Sequence, residues 1–450
     1  MKKLSVSIEE LCKIIMPIAD NAHEHKVILY GAGKDLRGYV FELEFISQML
    51  LKAEEIRGDF LENVIQVVDG NLRKQGEKLV LGKQEFSICA PRELQKMSPD
   101  DLERTIILIT TSRYAWEIEN TLKKMWKETD ASYVIAAELQ CFYGADRCAP
   151  KVLSKLMKHW AMEYNYADIP SLNVRLQSWL DDELAIVPEI GIKLTQKCTL
   201  NCKHCIDRIP FLPREDVPID VVMRDLDLLL RNALYIGELT FVTGEVLIYP
   251  HFSEVLELVV SDSKVHKIMI NTNGLVLPDE DSVRFLQSSK CIVNISDYGN
   301  LLKMAKAVDF YERNGINFTV RTEMKWKPYG AYPARHGMNG EKLKAVFSTC
   351  SVANACPPIM SDGKFYICGI AEKFHVLGEC RSKKDYMDLT ENGMFKENYN
   401  KMMNIDYLDC CDMCDTAVYD NSEEYVEAGE QVDSSKQWRK SNYTISKRMM

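Results

Sequence analysis

The sequence lacks the features that would carry the chain into a membrane or onto a nucleic acid. No stretch approaches the roughly 18 consecutive apolar residues of a membrane-spanning helix, and the first 25 residues contain no run that resembles a signal peptide. Basic residues are also outnumbered, because 56 Lys and Arg face 66 Asp and Glu, for a formal net charge of -10. This balance argues against a surface for nucleic acid or anionic lipid. We therefore expect a cytoplasmic protein that binds neither.

Cysteine, by contrast, is abundant, with 15 residues in a chain of 450. Disulfides are rare in the cytosol, so clustered thiols there indicate metal or redox chemistry. Three cysteines fall in the stretch TQKCTLNCKHC (195–205), and seven more lie between positions 350 and 414. The remaining cysteines are scattered, and at such positions cysteine usually serves as a small buried hydrophobe.

The fold class predicted for the whole chain is α/β, beginning with a Rossmann-like parallel sheet over residues 1–148. The segment KVILYGAG (26–33) is an apolar, β-branched run that ends in two glycines, and an amphipathic stretch follows it. The glycine fingerprint of dinucleotide binding is incomplete, because Leu36 stands at its third glycine position. Two interpretations stay open: nucleotide binding, or a scaffold that packs, docks a partner or grips the substrate.

A helical linker is predicted for residues 149–188, and strand-like runs then recur at regular intervals through residues 189–340. Five or more strand–helix units in succession predict an open or closed α/β barrel, whose chemistry lies at the C-terminal ends of the strands. The first cysteine-rich stretch follows the first of these strands directly. Residues 421–450 are polar and are predicted to form a frayed tail.

The spacing of Cys198, Cys202 and Cys205 fits a structural zinc ion poorly, since such an ion takes four protein ligands, usually as separated CxxC pairs. Three thiolates would instead leave one iron of a four-iron cluster open to a substrate or cofactor. The stretch resembles the CxxxCxxC loop of the radical S-adenosylmethionine (SAM) superfamily, which follows the first strand of a partial (β/α)6 barrel. His204 stands at a position that is commonly aromatic in that family. A zinc loop or a chance grouping is the alternative.

Three further segments resemble SAM-binding motifs of that superfamily. Gly244 and Glu245, in FVTGEVLIYPHF, resemble the segment that binds the amino group of SAM, where a carboxylate pairs with the ammonium. Asn273 in NTNG and Ser296 in NISDYG are similar to the turn after the third strand and to the strand that faces the ribose. Arg321 closes the fifth strand and is expected to hold the SAM carboxylate or the substrate, or else to form a salt bridge at the barrel rim. Taken singly, the turns are also ordinary strand-to-helix turns.

The resemblance implies reductive cleavage of SAM at a 4Fe-4S cluster ligated by Cys198, Cys202 and Cys205. The resulting 5′-deoxyadenosyl radical removes a hydrogen atom from the substrate, and the protein positions and seals that radical. An electron donor such as flavodoxin or ferredoxin is implied as a partner.

The second group of cysteines resembles the twitch domain, a shortened form of the SPASM extension of this superfamily, over residues 341–420. It implies one auxiliary 4Fe-4S cluster, and Asp362-Gly363 marks a hairpin turn within it. The predicted ligands are Cys350, Cys368, Cys411 and Cys414, with Cys356 and Cys410 as substitutes. A structural four-cysteine zinc site is the alternative.

A fully ligated second cluster suggests an electron acceptor, and hence the oxidation of an alcohol to a ketone on a sugar, aminocyclitol or sugar nucleotide. An epimerase would instead return a hydrogen atom from a cysteine thiol, for which the candidates are Cys356, Cys380 and Cys291. A third hypothesis is a maturase that crosslinks or epimerises a ribosomal precursor peptide. Such enzymes often begin with a winged-helix module, which the α/β pattern of residues 26–140 does not resemble.

Overall fold

The computed structural model describes residues 1–18, 25–33, 35–111, 114–126, 129, 131–139, 147–299, 301–322, 325–389, 395–419 and 424–432. The chain divides into two compact units, Met1–Asp182 and Glu183–Met450. Among the described helices, none is both long enough and apolar enough to cross a membrane.

Seven strands are described in the first unit: β1 Lys2–Lys3, β2 Lys26–Tyr30, β3 Val64–Val68, β4 Lys78–Leu81, β5 Gln84–Cys89, β6 Thr105–Ile109 and β7 Ser132–Ile135. They form one sheet in the order β1-β7-β6-β2-β3-β5-β4, in which every pair is parallel except β4 with β5. All five residues of β6, TIILI, are buried, as expected of a strand covered on both faces. The predicted Rossmann-like parallel sheet is confirmed.

The helices of the first unit are α1 Ile8–Ile15, α2 Asp35–Lys52, α3 Pro99–Glu103, α4 Ala115–Met125, α5 Pro150–Glu163 and α6 Ile169–Asp181. Helix α5 packs on α2 through Trp160, whose ring centroid lies 6.0 Å from that of Phe45. Trp160 also lies 5.7 Å from Trp179 of α6, and the ammonium of Lys158 stands 4.6 Å from the ring centroid of Tyr39. Most of the stretch predicted as a linker is therefore packed into the first unit.

The turn after β2 is closed by a carboxylate of the same unit. Gly31 has φ +114°, and its neighbour Ala32 donates its backbone N–H to Oδ2 of Asp69 at 2.7 Å. The other oxygen of Asp69 accepts from the N–H of Asn71, also at 2.7 Å. The carboxylate, which also lies 3.5 Å from Nζ of Lys74, thus takes the backbone N–H groups that a bound phosphate would use. This arrangement favours the scaffold interpretation of the first unit over dinucleotide binding.

The strands described in the second unit are β8 Ala185–Lys193, β9 Ala233–Val242, β10 Val265–Thr272, β11 Cys291–Asp297, β12 Phe318–Thr322, β13 Lys325–Trp326, β14 Ile359–Ser361, β15 Lys364–Tyr366, β16 Met387–Asp388 and β17 Val426–Glu427. Eight of them form one sheet in the order β12-β11-β10-β9-β8-β14-β15-β16, while β13 pairs with β17. The helices are α7 Ile219–Asn232, α8 Phe252–Ser261, α9 Glu280–Leu286, α10 Leu301–Arg313, α11 Gly340–Thr349, α12 Ser351–Ala355, α13 Gly369–Val376, α14 Phe395–Met403 and α15 Thr416–Tyr419.

The parallel part of this sheet joins the predicted barrel to the predicted cysteine-rich extension. Strands β8 to β12 are parallel, as the spacing predicts, and β14 adds a sixth parallel strand beside β8. Strand β14 is one arm of the predicted hairpin with β15, whose turn residues Asp362 and Gly363 have φ +48° and +70°. The extension therefore continues the sheet on which the first cysteine loop stands.

We expect Trp160→Ala to lower the free energy of unfolding of the first unit by about 3–5 kcal/mol, because it empties a fully buried site between three helices. The matched control is Trp116→Ala on α4, where the side chain is 59% exposed and the expected change is within about 0.5 kcal/mol. Denaturant unfolding of both variants and the wild type measures the difference. Equal losses would contradict the packing role of Trp160.

Candidate metal centre

The first three cysteines lie in the loop that follows β8, at the C-terminal edge of the parallel strands. Cys202 is buried, while Cys198 and Cys205 are partly buried, and all three are free thiols. The backbone N–H of Leu200 lies 3.4 Å from Sγ of Cys198. Burial raises the pKa of Cys198 to about 11 and that of Cys205 to about 12. Thiolates here therefore need the positive charge of a metal, and three soft donors on one loop fit an iron–sulfur cluster with one open iron.

Two amide side chains point at sulfur atoms of this loop. Nδ2 of Asn273, a predicted site residue, lies 3.7 Å from Sγ of Cys198. Nε2 of Gln431 donates to Sγ of Cys202 at 3.2 Å. The sequence does not predict Gln431, because it falls in the segment expected to be a frayed tail.

His204 stands between the second and third cysteines and is half-buried. Burial and the neighbouring Lys203 lower the pKa of His204, so its imidazole is neutral at neutral pH.

The turn after β9 lies directly on the cysteine loop. Gly244 has φ +68°, and a Cβ at this position would lie 2.3 Å from the backbone oxygen of Lys197 and 2.9 Å from that of Thr195. The N–H of Glu245 donates to the same oxygen of Lys197 at 2.8 Å. Glycine is therefore required here, both for its positive φ and for the close approach of two backbones.

The side chain of Glu245 is fully buried and joins the ends of two strands. Its Oε2 accepts from the N–H of Asn273 at 2.9 Å, and its Oε1 lies 3.4 Å from the N–H of Leu247. Burial raises the pKa of Glu245 above its ordinary value. In this arrangement the oxygens of Glu245 accept from backbone amides, and the side chain connects the ends of β9 and β10. The contact of Glu245 with a SAM ammonium stays a prediction.

The structure places the remaining predicted SAM contacts side by side. Ser296 on β11 is in register with Arg321 on β12. Ser296 is partly buried and Arg321 is exposed. Both lie near the C-terminal ends of their strands, which is the edge that carries the cysteine loop.

The four cysteines predicted as auxiliary ligands come together. Cys350, Cys368, Cys411 and Cys414 line one cavity, with Cys410 as a fifth thiol. The cavity also holds Thr416, whose Oγ1 lies 3.0 Å from Sγ of Cys414 and 3.8 Å from Sγ of Cys350. Cys356, the other substitute ligand, follows α12 and is partly exposed, outside this set of lining residues.

The spacing of these thiols suits a cluster better than a single ion. In the described part of the chain, the one trio of potential ligand atoms that all lie within 4.8 Å of one another is His375, Cys380 and Asp385. A tetrahedral zinc with bonds of about 2.3 Å would hold its sulfurs within about 4 Å of each other. Among the described residues, no three of the auxiliary thiols form a trio of that kind. Burial raises the pKa of Cys368 to about 12, so these thiols also need a metal to ionise.

Asp385 holds the turn that carries the last two cysteines. Its Oδ1 accepts from the N–H of Asp409 at 2.7 Å and its Oδ2 from that of Cys410 at 3.0 Å. The thiol of Cys380, a predicted hydrogen-atom donor, donates to the same carboxylate at 3.1 Å. Cys291, another predicted donor, begins β11, so it lies at the opposite edge of the sheet from the first cysteine loop.

A buried ion pair connects the two cysteine groups. Arg208, three residues after Cys205, is fully buried, and its Nη2 lies 2.6 Å from Oδ1 of Asp415, the residue that follows Cys414. The guanidinium also donates to the backbone oxygen of Ala331 at 3.3 Å, and Ala331 donates its N–H to Asp415 at 2.8 Å. The sequence does not predict this pair.

A second buried network runs from β8 to α13. Glu372 lies between two lysines, 2.5 Å from Nζ of Lys193 and 2.6 Å from Nζ of Lys373. Burial alone would raise the pKa of Glu372, but the two ammonium groups outweigh it and lower the pKa to about 2. Lys373 also donates to the hydroxyl of Thr243 at 2.7 Å and lies 3.6 Å from Asp207. The helix after Cys368 thereby contacts both the β9 turn and the cysteine loop.

The segment that runs from the end of β8 into β11 matches a known protein family. Residues 192–296 match the family described as the Radical SAM superfamily. Over 106 residues the chain is 31% identical to the antilisterial bacteriocin subtilosin biosynthesis protein AlbA of Bacillus subtilis (strain 168), covering 23% of this chain and 22% of AlbA. The chain thus matches about a fifth of the length of that relative.

Solved structures with some similarity include SuiB of Streptococcus suis bound to S-adenosylmethionine, with 16% identity, a TM-score of 0.25 and coverage of 34% of this chain and 36% of SuiB. Another is anSMEcpe with bound AdoMet, with 14% identity, a TM-score of 0.35 and coverage of 54% and 92%. A third is BtrN in complex with AdoMet and 2-DOIA, with 12% identity, a TM-score of 0.33 and coverage of 54% and 97%.

We expect Gly244→Ala to displace the cysteine loop and to reduce the iron that the reconstituted protein retains there, because the new Cβ meets the oxygen of Lys197. The matched control is Gly299→Ala, which also has positive φ, +87°, but has no atom within 4 Å of the added carbon. The control should lose only the roughly 1–2 kcal/mol of backbone strain that both variants share. Iron analysis after anaerobic reconstitution compares them. Full iron retention in Gly244→Ala would contradict the close approach.

We expect Arg208→Met to lower the free energy of unfolding of the second unit by about 3–5 kcal/mol, since it leaves the carboxylate of Asp415 buried without its partner. The matched control is Arg313→Met on α10, whose ion pair with Asp309 is largely exposed and should contribute less than about 1 kcal/mol.

Denaturant unfolding of the protein without metal measures both changes, and the double variant Arg208→Met/Asp415→Leu should recover part of the loss. Equal stability of the two single variants would show that the buried pair does not hold the two segments together.

Proposed function

From the match of residues 192–296 to the Radical SAM superfamily, we propose that the protein cleaves SAM reductively and oxidises an alcohol of a sugar-like substrate. The family uses a 4Fe-4S cluster and SAM. The observation that carries the proposal is the pairing of two donor sets in one unit, three thiols on a loop and four or five around a cavity.

The residues of the first loop fit the SAM-binding cluster. Cys198, Cys202 and Cys205 would hold it, leaving one iron for the amino and carboxylate groups of SAM. When bound, this cluster supplies the electron that breaks a sulfur–carbon bond of SAM. Gly244 fixes the β9 turn against the loop, and Glu245 fixes the β10 turn beside it. The chain thus positions the reacting groups, which is its main contribution to a radical reaction.

The residues of the second cavity fit a fully ligated cluster. Cys350, Cys368, Cys411 and Cys414 would hold it, with Cys410 as the substitute that also lines the cavity. Conversion of a secondary alcohol to a ketone removes one hydrogen atom from carbon, one electron, and the hydroxyl proton. The auxiliary cluster would accept that electron. A protein partner such as flavodoxin or ferredoxin would supply the electron for SAM cleavage.

A second candidate function is the modification of a ribosomal precursor peptide. The sequence match to AlbA, a protein of bacteriocin biosynthesis, favours it. The first unit is a parallel α/β sheet rather than the winged-helix module with which such enzymes often begin, and this favours a small substrate. For an epimerase, Cys291 lies at the far end of the strands and Cys380 donates to Asp385, so Cys356 is the hydrogen-donor candidate that remains.

We expect about eight irons and eight sulfides per chain after anaerobic reconstitution, falling to about four in the triple variant Cys198→Ala/Cys202→Ala/Cys205→Ala. The reciprocal variant, with the four auxiliary cysteines changed to alanine, should retain about four irons and should still form 5′-deoxyadenosine from SAM and dithionite. About four irons together with bound zinc in the wild type would overturn the electron-acceptor role and move epimerisation or peptide chemistry ahead.

The substrate class is then tested with aminocyclitols and nucleotide sugars that carry deuterium on the alcohol carbons. We expect deuterium to appear in 5′-deoxyadenosine, and the amount of deuterated 5′-deoxyadenosine to equal the amount of ketone product. In the reciprocal variant the deuterium transfer should persist without ketone. Transfer from a deuterated precursor peptide, and from no sugar, would establish the second candidate instead.

A further inference from the structure

Residues 424–432, which we call the C-terminal strap, pair with the first cysteine loop. The strap residue Gln431 forms an isolated antiparallel bridge with Cys202. On either side of it, the N–H of Lys203 donates to the oxygen of Glu430 at 2.7 Å, and the N–H of Val432 donates to the oxygen of Asn201 at 2.8 Å. The sequence predicts a frayed tail from residue 421, and for these nine residues the structure shows a paired segment instead. Residues 433–450 lie outside the described part of the chain.

The other end of the strap forms a two-stranded sheet with β13. Its strand β17 pairs with β13 in antiparallel register, Lys325 opposite Glu427 and Trp326 opposite Val426. Gly429, with φ +75°, lies so close to Tyr298 that an added Cβ would stand 2.9 Å from its side chain. The strap is therefore held at β13, at the end of β11 and at the cysteine loop.

The side-chain amide of Gln431 has a fixed orientation. Its Oε1 accepts from the N–H of Asn201 at 2.7 Å, so its Nε2 must be the atom that faces Cys202. Nε2 donates both to Sγ of Cys202, at 3.2 Å, and to the backbone oxygen of Gly429, at 2.7 Å. The side-chain amide of Gln431 thus contacts the sulfur of Cys202, the backbone of the strap at Gly429 and the backbone of the cysteine loop at Asn201.

We propose that Gln431 is a positioning residue for the SAM-binding cluster, which orients Cys202 and raises the reduction potential of the cluster through its N–H···S hydrogen bond. This inference rests on the proposed function, since it requires a cluster on the first loop. A donor to a ligand sulfur stabilises the more negative, reduced state of a cluster, so its removal makes reduction harder. The exposed pair of Lys203 with Glu430, at 3.3 Å, lies one residue away and serves as the matched site without a sulfur contact.

The test compares Gln431→Leu and Gln431→Glu with Glu430→Gln in the full-length reconstituted protein. The readout is the midpoint potential of the electron paramagnetic resonance signal that changes on addition of SAM, which identifies the SAM-binding cluster. We expect a shift to more negative potential in both Gln431 variants, larger for the carboxylate, and no shift in Glu430→Gln. A wild-type potential in Gln431→Leu would overturn the proposal.

A second measurement does not depend on a loaded cluster. In the protein without metal, the rate at which iodoacetamide labels Cys202 is followed by mass spectrometry, with Cys198 as the internal reference. The rate at Cys202 should differ from that of the wild type in Gln431→Leu, because the amide that covers the sulfur is gone, and it should stay unchanged in Glu430→Gln; an unchanged rate in both would count against the strap contact. Wild-type protein that binds no iron on the first loop would instead defeat the proposed function, whatever the labelling shows.

Discussion

The buried ion pair between Arg208 and Asp415 is the constraint on which the arrangement of both cysteine groups depends. Each partner stands within three residues of a cysteine, Arg208 after Cys205 and Asp415 after Cys414, and the Arg208 side chain is 0% exposed. Burying either charge alone would cost several kcal/mol, so neither segment reaches its position stably without the other. The two candidate clusters are thereby built as one structural unit rather than as two independent sites.

The network around Glu372 applies the same constraint from the other side. Lys373 reaches the β9 turn through Thr243 and the cysteine loop through Asp207, while Lys193 belongs to the first strand of the sheet. The network has no net charge, because two lysines are balanced by two carboxylates, the buried one of Glu372 and the partly exposed one of Asp207. This balance lowers the cost of burying the two ammonium groups. The helix that follows Cys368 thus contacts the β9 turn and the first cysteine loop, and these contacts connect the two groups of cysteines.

Local chemistry explains which parts of this structure could be predicted from the sequence. The strands and the hairpin at Asp362 and Gly363 follow from periodicity and turn chemistry, which are visible over short stretches, whereas the grouping of the auxiliary cysteines is predicted from the resemblance to the twitch domain. The contacts of Arg208 and Gln431 are different, because their partners lie 207 and 229 positions away in the chain. A buried arginine and a glutamine in a polar tail have no local signature, since only the folded chain brings their partners near.

The placement of the thiols bears on the choice between oxidation and epimerisation. An epimerase needs a thiol that can give its hydrogen atom to the substrate near the C-terminal edge of the strands, where SAM is expected to be cleaved. Cys291 lies at the opposite edge, and Cys380 is buried and hydrogen-bonded to the carboxylate that holds the turn of Cys411 and Cys414. An oxidation needs only a path by which one electron leaves the substrate radical. The second group of thiols is connected to the first loop by the ion pair of Arg208 and Asp415. The positions of Cys291 and Cys380 therefore weigh against hydrogen return from either of these two thiols, while Cys356 is the donor candidate that remains for an epimerase.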